Sequence, residues 1–125
     1  MKIVDANVVL RYLLNDIEDQ ARLATNYLEQ NKVFIPIEVV AEIVYVLERV
    51  YKINRKEISS KLTCLIAYPN IVNDNKDLIN ESFIIYATRK IDFVDCILCA
   101  YKVVLGAEIL TFDKKIKNFR ISNES

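Results

Sequence analysis

Short apolar runs alternate with helix-length amphipathic segments along this chain, and that alternation restricts its fold more than any other feature. Residues 2–4, 33–35, 71–72 and 107–112 read as strands, with 119–121 as an edge strand. Between them the spacing predicts helices over 8–14, 19–30, 37–51, 55–67, 76–89 and 93–105. Strands separated by helices pair in parallel through crossovers, so the expected class is α/β, with a mainly parallel central sheet and helices on both faces. Local chemistry punctuates the same plan. Asn15-Asp16 ends the first helix, Pro36 opens the third, and Asn54 and Asn75 cap the next two. Gly106, the single glycine, stands where a left-handed helix end is wanted. Ala21, Ala24 and Leu28 form an inward stripe that Leu23 and Tyr27 widen, and Leu78, Ile79, Ser82, Phe83, Ile85 and Tyr86 form another. A length of 125 residues gives one domain, 1–125, with one core.

The composition excludes several function classes. Lys plus Arg equals Asp plus Glu at 17 each, so the chain lacks the global basic field of many nucleic-acid binders. A local run remains at Lys114, Lys115, Lys117 and Arg120; by itself it reads as a solvated turn. No apolar stretch reaches the roughly 20 residues that span a membrane, and no leader pattern opens the chain. Three cysteines, Cys64, Cys96 and Cys99, point to a reducing, cytoplasmic setting. Cys96 and Cys99 have C-x-x-C spacing but lie in an apolar helical run without a second pair, which makes them small core residues rather than zinc ligands. The mean hydropathy of +0.16 is high for so small a protein. It implies a dense core and some apolar surface covered by a partner.

The chain contains no histidine, so any hydrolytic chemistry must rest on other groups. Asp5, Glu42, Asp95 and Asp113 each interrupt or close a strongly apolar segment: MKIVD, IEVVAEIVYVL, DFVDCILCAY and EILTFD. In open parallel sheets ligands bind at the carboxyl ends of the strands, and Asp5 and Asp113 are both expected to follow strands directly. Helix starts face the same rim, which adds Asp95 and Glu42. Carboxylates brought together raise one another's pKa unless a cation neutralises them, and an all-oxygen set suits Mg²⁺ or Mn²⁺. Phosphodiester hydrolysis is the reaction class that follows. Taken singly, each acid has a plainer use. Asp5 serves equally as a turn residue; Asp92 and Asp95 compete to cap one helix; Asp113 can start the turn before Lys114; Asn7 can cap a helix or hold a carboxylate. Glu42 is harder to explain away, because it follows Glu38 by four residues and emerges among Val39, Ile43 and Val46.

The segments DANVVLRYLL, IPIEVVAEIVYVLERVY, DFVDCILCAY and ILTFDKKI, in that order, resemble PIN-domain proteins, and in particular VapC-type toxins of toxin–antitoxin pairs. The resemblance implies a three-layer α/β/α sandwich and a Mg²⁺- or Mn²⁺-dependent ribonuclease. It makes Asp5, Glu42 and Asp95 the central metal-binding and catalytic acids, with Asp113 completing the pocket. Asn7, Thr111 and Asp92 become supporting residues. It also implies a homodimer and a small antitoxin protein that covers an apolar groove. One departure is that the loop ATRKIDF lacks the glycine common at that place in the family.

Other readings differ in what they require. A non-catalytic RNA-binding or scaffold PIN domain would show lost acids, and all four are present. A phosphatase with a nucleophilic aspartate wants a second aspartate where this chain has Asn7, and a receiver-type domain wants paired acids after one early strand. Tyr12, Tyr45, Tyr51 and Arg11 are candidates for partner or RNA contact, or else packing residues. The Lys114 to Arg120 segment is the expected RNA-binding face.

Overall fold

The computed structural model describes residues 1–121, which form two compact units, Met1–Asp74 and the segment from Asn75 onward. The first unit contains β1 (Lys2–Ile3), α1 (Ala6–Leu14), α2 (Glu18–Glu29), β2 (Val33–Phe34), α3 (Ile37–Arg49), α4 (Arg55–Ile66) and β3 (Ile71–Val72). Its sheet has the order β1-β2-β3 and is parallel throughout, with Lys2 beside Val33 and Val33 beside Ile71. The α/β class and the parallel sheet therefore match expectation. The ladder extends past the strands through Ile35 N–H donating to Val72 O at 2.8 Å.

Burial explains why these helices form where they do. Ala21, Ala24 and Leu28 are buried as their spacing implies, and α1 packs against α2 and α3. Leu23 and Tyr27 do not widen that stripe: both are exposed, because they sit to the side of a contact line that the two alanines keep narrow. Val40, Ile43, Val44 and Leu47 form the buried face of α3 at helical spacing. Asn15 ends α1 at φ 50°, and its N–H donates to Arg11 O at 3.0 Å. The Asn54 side chain accepts from Glu57 N–H at 2.8 Å and so caps α4. Arg11 is buried, donating to Asp16 at 2.9 and 3.1 Å and to the Tyr51 hydroxyl at 3.1 Å. Arg11 and Tyr51 are thus partners of one another. Tyr12 is half-buried and hydrogen-bonded to Tyr68; burial first, and then Tyr68, push its hydroxyl pKa up.

The second unit contains α5 (Lys76–Thr88), α6 (Phe93–Leu105) and α7 (Lys114–Lys117). α5 buries all six of its expected inner residues and packs on α6. Phe93 stacks on Phe83 with ring centres 5.7 Å apart and meets Tyr86 edge-on at 5.6 Å. Asn75 caps α5 through Leu78 N–H at 3.1 Å, and Gly106 closes α6 at φ 68°. The loop 89–92 contains no residue at positive φ, so it has no conformational need for a glycine. Cys96 and Cys99 are fully buried in α6, as core residues should be, and Cys64 is exposed.

Two expected strands do not form. Residues 107–112 keep the two-residue alternation of a strand, with Ala107, Ile109 and Thr111 half-buried and Glu108, Leu110 and Phe112 exposed. No ladder partner is bonded to them among the described residues, and a strand exists only through a partner. Residues 119–121 are the exit of α7 instead. Phe119 N–H donates to Ile116 O at 3.1 Å, and the buried Phe119 ring lies under the Arg89 guanidinium at 4.7 Å. The basic run read as a turn is the short helix α7.

Candidate active site

In the first unit the carboxyl edge of the parallel sheet is the place where a ligand would bind. Asp5 stands there, just beyond β1, and caps α1: its carboxylate accepts from Val8 N–H at 3.2 Å. The carboxylate also lines an open cleft of about 300 Å³ with Val8, Tyr27, Asn31 and Val33. Asn7 is therefore not the cap. It is the second residue of α1, exposed, and lines a neighbouring cleft of about 150 Å³ with Arg11 and Leu23. α3 also starts at this edge, directly after β2, with Pro36 as its N-cap residue. Glu38 and Glu42 lie one turn apart on the exposed side of α3, a like-charge pair that weakens the helix rather than supporting it. Sequence reasoning passed over Asn73, which directly follows β3 at the same edge. Its side-chain nitrogen and oxygen are both buried without a hydrogen-bond partner, a costly state for an amide. A polar residue directly after a strand was the available signal.

In the second unit Asp92 is the N-cap residue of α6 but makes no capping hydrogen bond with its side chain. Asp95 sits in the first turn, half-buried. Burial pushes its carboxyl pKa above the ordinary 3.8, Asp113 and Asp92 push it further, and Lys115 partly offsets them. Asp113 does not close a strand; it caps α7, accepting from Lys115 N–H at 2.8 Å and Ile116 N–H at 3.4 Å. Thr111 Oγ accepts from Asp113 N–H at 3.0 Å, so Thr111 fixes the backbone that presents the acid. Burial raises the Cys99 thiol pKa as well, with Asp95 adding to it, which keeps that thiol neutral and unreactive.

A family model for the PIN domain matches residues 2–121. The chain belongs to the PIN domain family. It is also similar to a VapC ribonuclease of Aquifex aeolicus (strain VF5), with 28% identity over 123 residues, covering 94% of this chain and 90% of the relative. The match runs through both units of this PIN domain and includes all four acids.

The donor chemistry of this PIN domain fits a hard divalent cation. Burial first, and then the like charges of Asp113 and Asp92, disfavour the Asp95 carboxylate, and a bound cation would offset that. Among the described residues no three or more acidic or cysteine groups form a set able to hold a metal ion.

Proposed function

We propose that this PIN domain is a metal-dependent endoribonuclease and the toxin of a type II toxin–antitoxin pair. The observation that carries the reading is Asp95, a half-buried acid in the first turn of α6 whose carboxylate is disfavoured by burial and by two neighbouring acids and would be favoured by a bound cation. The similarity to a VapC ribonuclease over nearly the whole chain supports the same conclusion. Asp5, Glu42 and Asp95 would hold Mg²⁺ or Mn²⁺, and Asp113 would complete the set. When bound, such an ion supplies an activated water and neutralises charge on the phosphate.

The chain's own residues supply placement. The α1 N–H that binds the Asp5 carboxylate fixes one oxygen and leaves the other for a ligand. The α7 N–H groups do the same for Asp113, and Thr111 steadies its backbone. Asn7, exposed two residues after Asp5, would orient a carboxylate or a metal-bound water. Asp92 occupies the N-cap position of α6 without a side-chain capping bond, and Asp95 stands in the first turn. The protein would act in the cytoplasm as a homodimer, on RNA, and be silenced by a small antitoxin that covers exposed apolar surface.

Expression should arrest growth, and co-expression of the neighbouring small gene product should relieve it. Purified protein should cut RNA with Mg²⁺ or Mn²⁺ and not in chelator. Cleavage that persists in chelator would reject the metal. An RNA-binding protein that cuts nothing under any metal would instead be the non-catalytic PIN domain.

A further inference from the structure

Phe112 is 99% exposed and Leu110 90%, both facing outward from the segment before α7. A bare phenyl ring on a protein surface calls for an occupant, and the ring's neighbours say which kind. Lys117 Nζ lies 5.9 Å from the Phe112 ring centre, and Lys114 and Lys115 follow within three residues. Lys114 and Lys117 have no carboxylate partner among the described residues. An apolar protein face laid on Phe112 would have to strip water from these ammonium groups without repaying them. A polyanion made of flat aromatic groups satisfies both features at once.

We propose that Phe112 is a base-stacking platform for single-stranded RNA, with Lys114 and Lys117 on the flanking phosphates. The inference rests on the nuclease reading for the identity of the polymer. The backbone on either side of the ring is fixed: Asp113 N–H donates to Thr111 Oγ, and the Asp113 carboxylate accepts from Lys115 N–H at the start of α7. Phe112 thus stacks a base beside Asp113, and its contribution is to substrate choice rather than to bond breaking. Stacking is sequence-tolerant because every base has a π-face, so Phe112 selects unpaired over paired RNA more than one base over another.

The chain has no tryptophan, so Phe112→Trp introduces a single indole at the platform, whose emission can be excited selectively over that of the seven tyrosines. Titrating this variant with a short oligoadenylate in chelator should quench its fluorescence, and an abasic oligomer of equal length should not. Phe112→Ala should weaken oligoadenylate binding about fivefold or more, leave abasic binding unchanged, and leave the salt slope unchanged. Lys117→Ala should lower the salt slope by about 0.7 for either polymer. Phe112→Tyr should bind like the parent. Equal quenching by abasic oligomer, or undiminished oligoadenylate binding by Phe112→Ala, overturns the platform. So does a Phe112→Ala protein whose only change is loss of self-association in sedimentation, since the ring would then be a subunit contact. Metal-dependent cleavage tests the nuclease reading separately: a protein that cuts RNA while ignoring Phe112 retains that reading and loses this one.

Discussion

Asp5 has two separable roles, and paired substitutions distinguish them. Its carboxylate accepts from Val8 N–H at 3.2 Å, capping the helix that carries the buried Val9 and Leu10. A side-chain cap contributes about 1 kcal/mol, and an acid at a helix start adds about 0.3–0.5 kcal/mol at an exposed site. Asn caps as well as Asp, so Asp5→Asn loses only the charge term, whereas Asp5→Ala loses both, about 1–1.5 kcal/mol in all. For a chain of 125 residues those losses correspond to falls in Tm of about 1–2 °C for Asn and roughly 3–6 °C for Ala. If Asp5 also holds the metal, both variants lose cleavage equally, by more than about a hundredfold, since even supporting residues of metal sites cost 10- to 100-fold. Circular-dichroism melts in chelator and single-turnover cleavage in Mn²⁺ measure the two effects independently. An Asn variant that melts as low as the Ala variant would refute the capping account. An Asn variant that cuts within a few-fold of the parent would refute the metal role.

Two further outcomes follow from the same physics. Folded, metal-free protein binds the Asp95 proton more tightly than the unfolded chain does, because the folded pKa is raised above 3.8. Asp95 therefore adds stability as pH falls from that raised value toward 3.8 and costs stability as pH rises through it. Asp95→Asn should flatten this part of the stability–pH curve and raise Tm at pH 7 in chelator; an unchanged slope and Tm would contradict it. Arg11 is buried with bonds to Asp16 and Tyr51, so Arg11→Ala should cost about 2 kcal/mol in urea unfolding, and a loss under about 0.5 kcal/mol would show the network to be dispensable.

The elements most legible in the sequence were those fixed by local chemistry. Asn54 and Asn75 start their helices through their side-chain reach, and Gly106 ends its helix through its backbone freedom. The inner residues of α5 follow from a 3.6-residue period that no tertiary contact reverses. Residues 107–112 failed for the opposite reason: alternation can be read from one segment, but pairing depends on a second segment that the pattern does not name. That failure also changed Asp113 from a residue after a strand into a helix cap. Among the acids, sequence placed Asp5 and Asp95 at element starts correctly. It could not show that Asp92 would leave its side chain out of capping, or that Asn73 would bury an unpartnered amide.

We propose that Asp5, Glu42, Asp95 and Asp113 together serve divalent-metal-dependent RNA cleavage. Single-turnover cleavage of an RNA oligomer across a Mn²⁺ titration should show saturable, metal-dependent cutting by the parent. It should also show at least about hundredfold loss in Asp5→Asn, Glu42→Gln and Asp95→Asn, with a smaller loss and weaker apparent metal affinity in Asp113→Asn. Parent-like cutting by Asp5→Asn or Asp95→Asn, or cutting that ignores the metal, would contradict it.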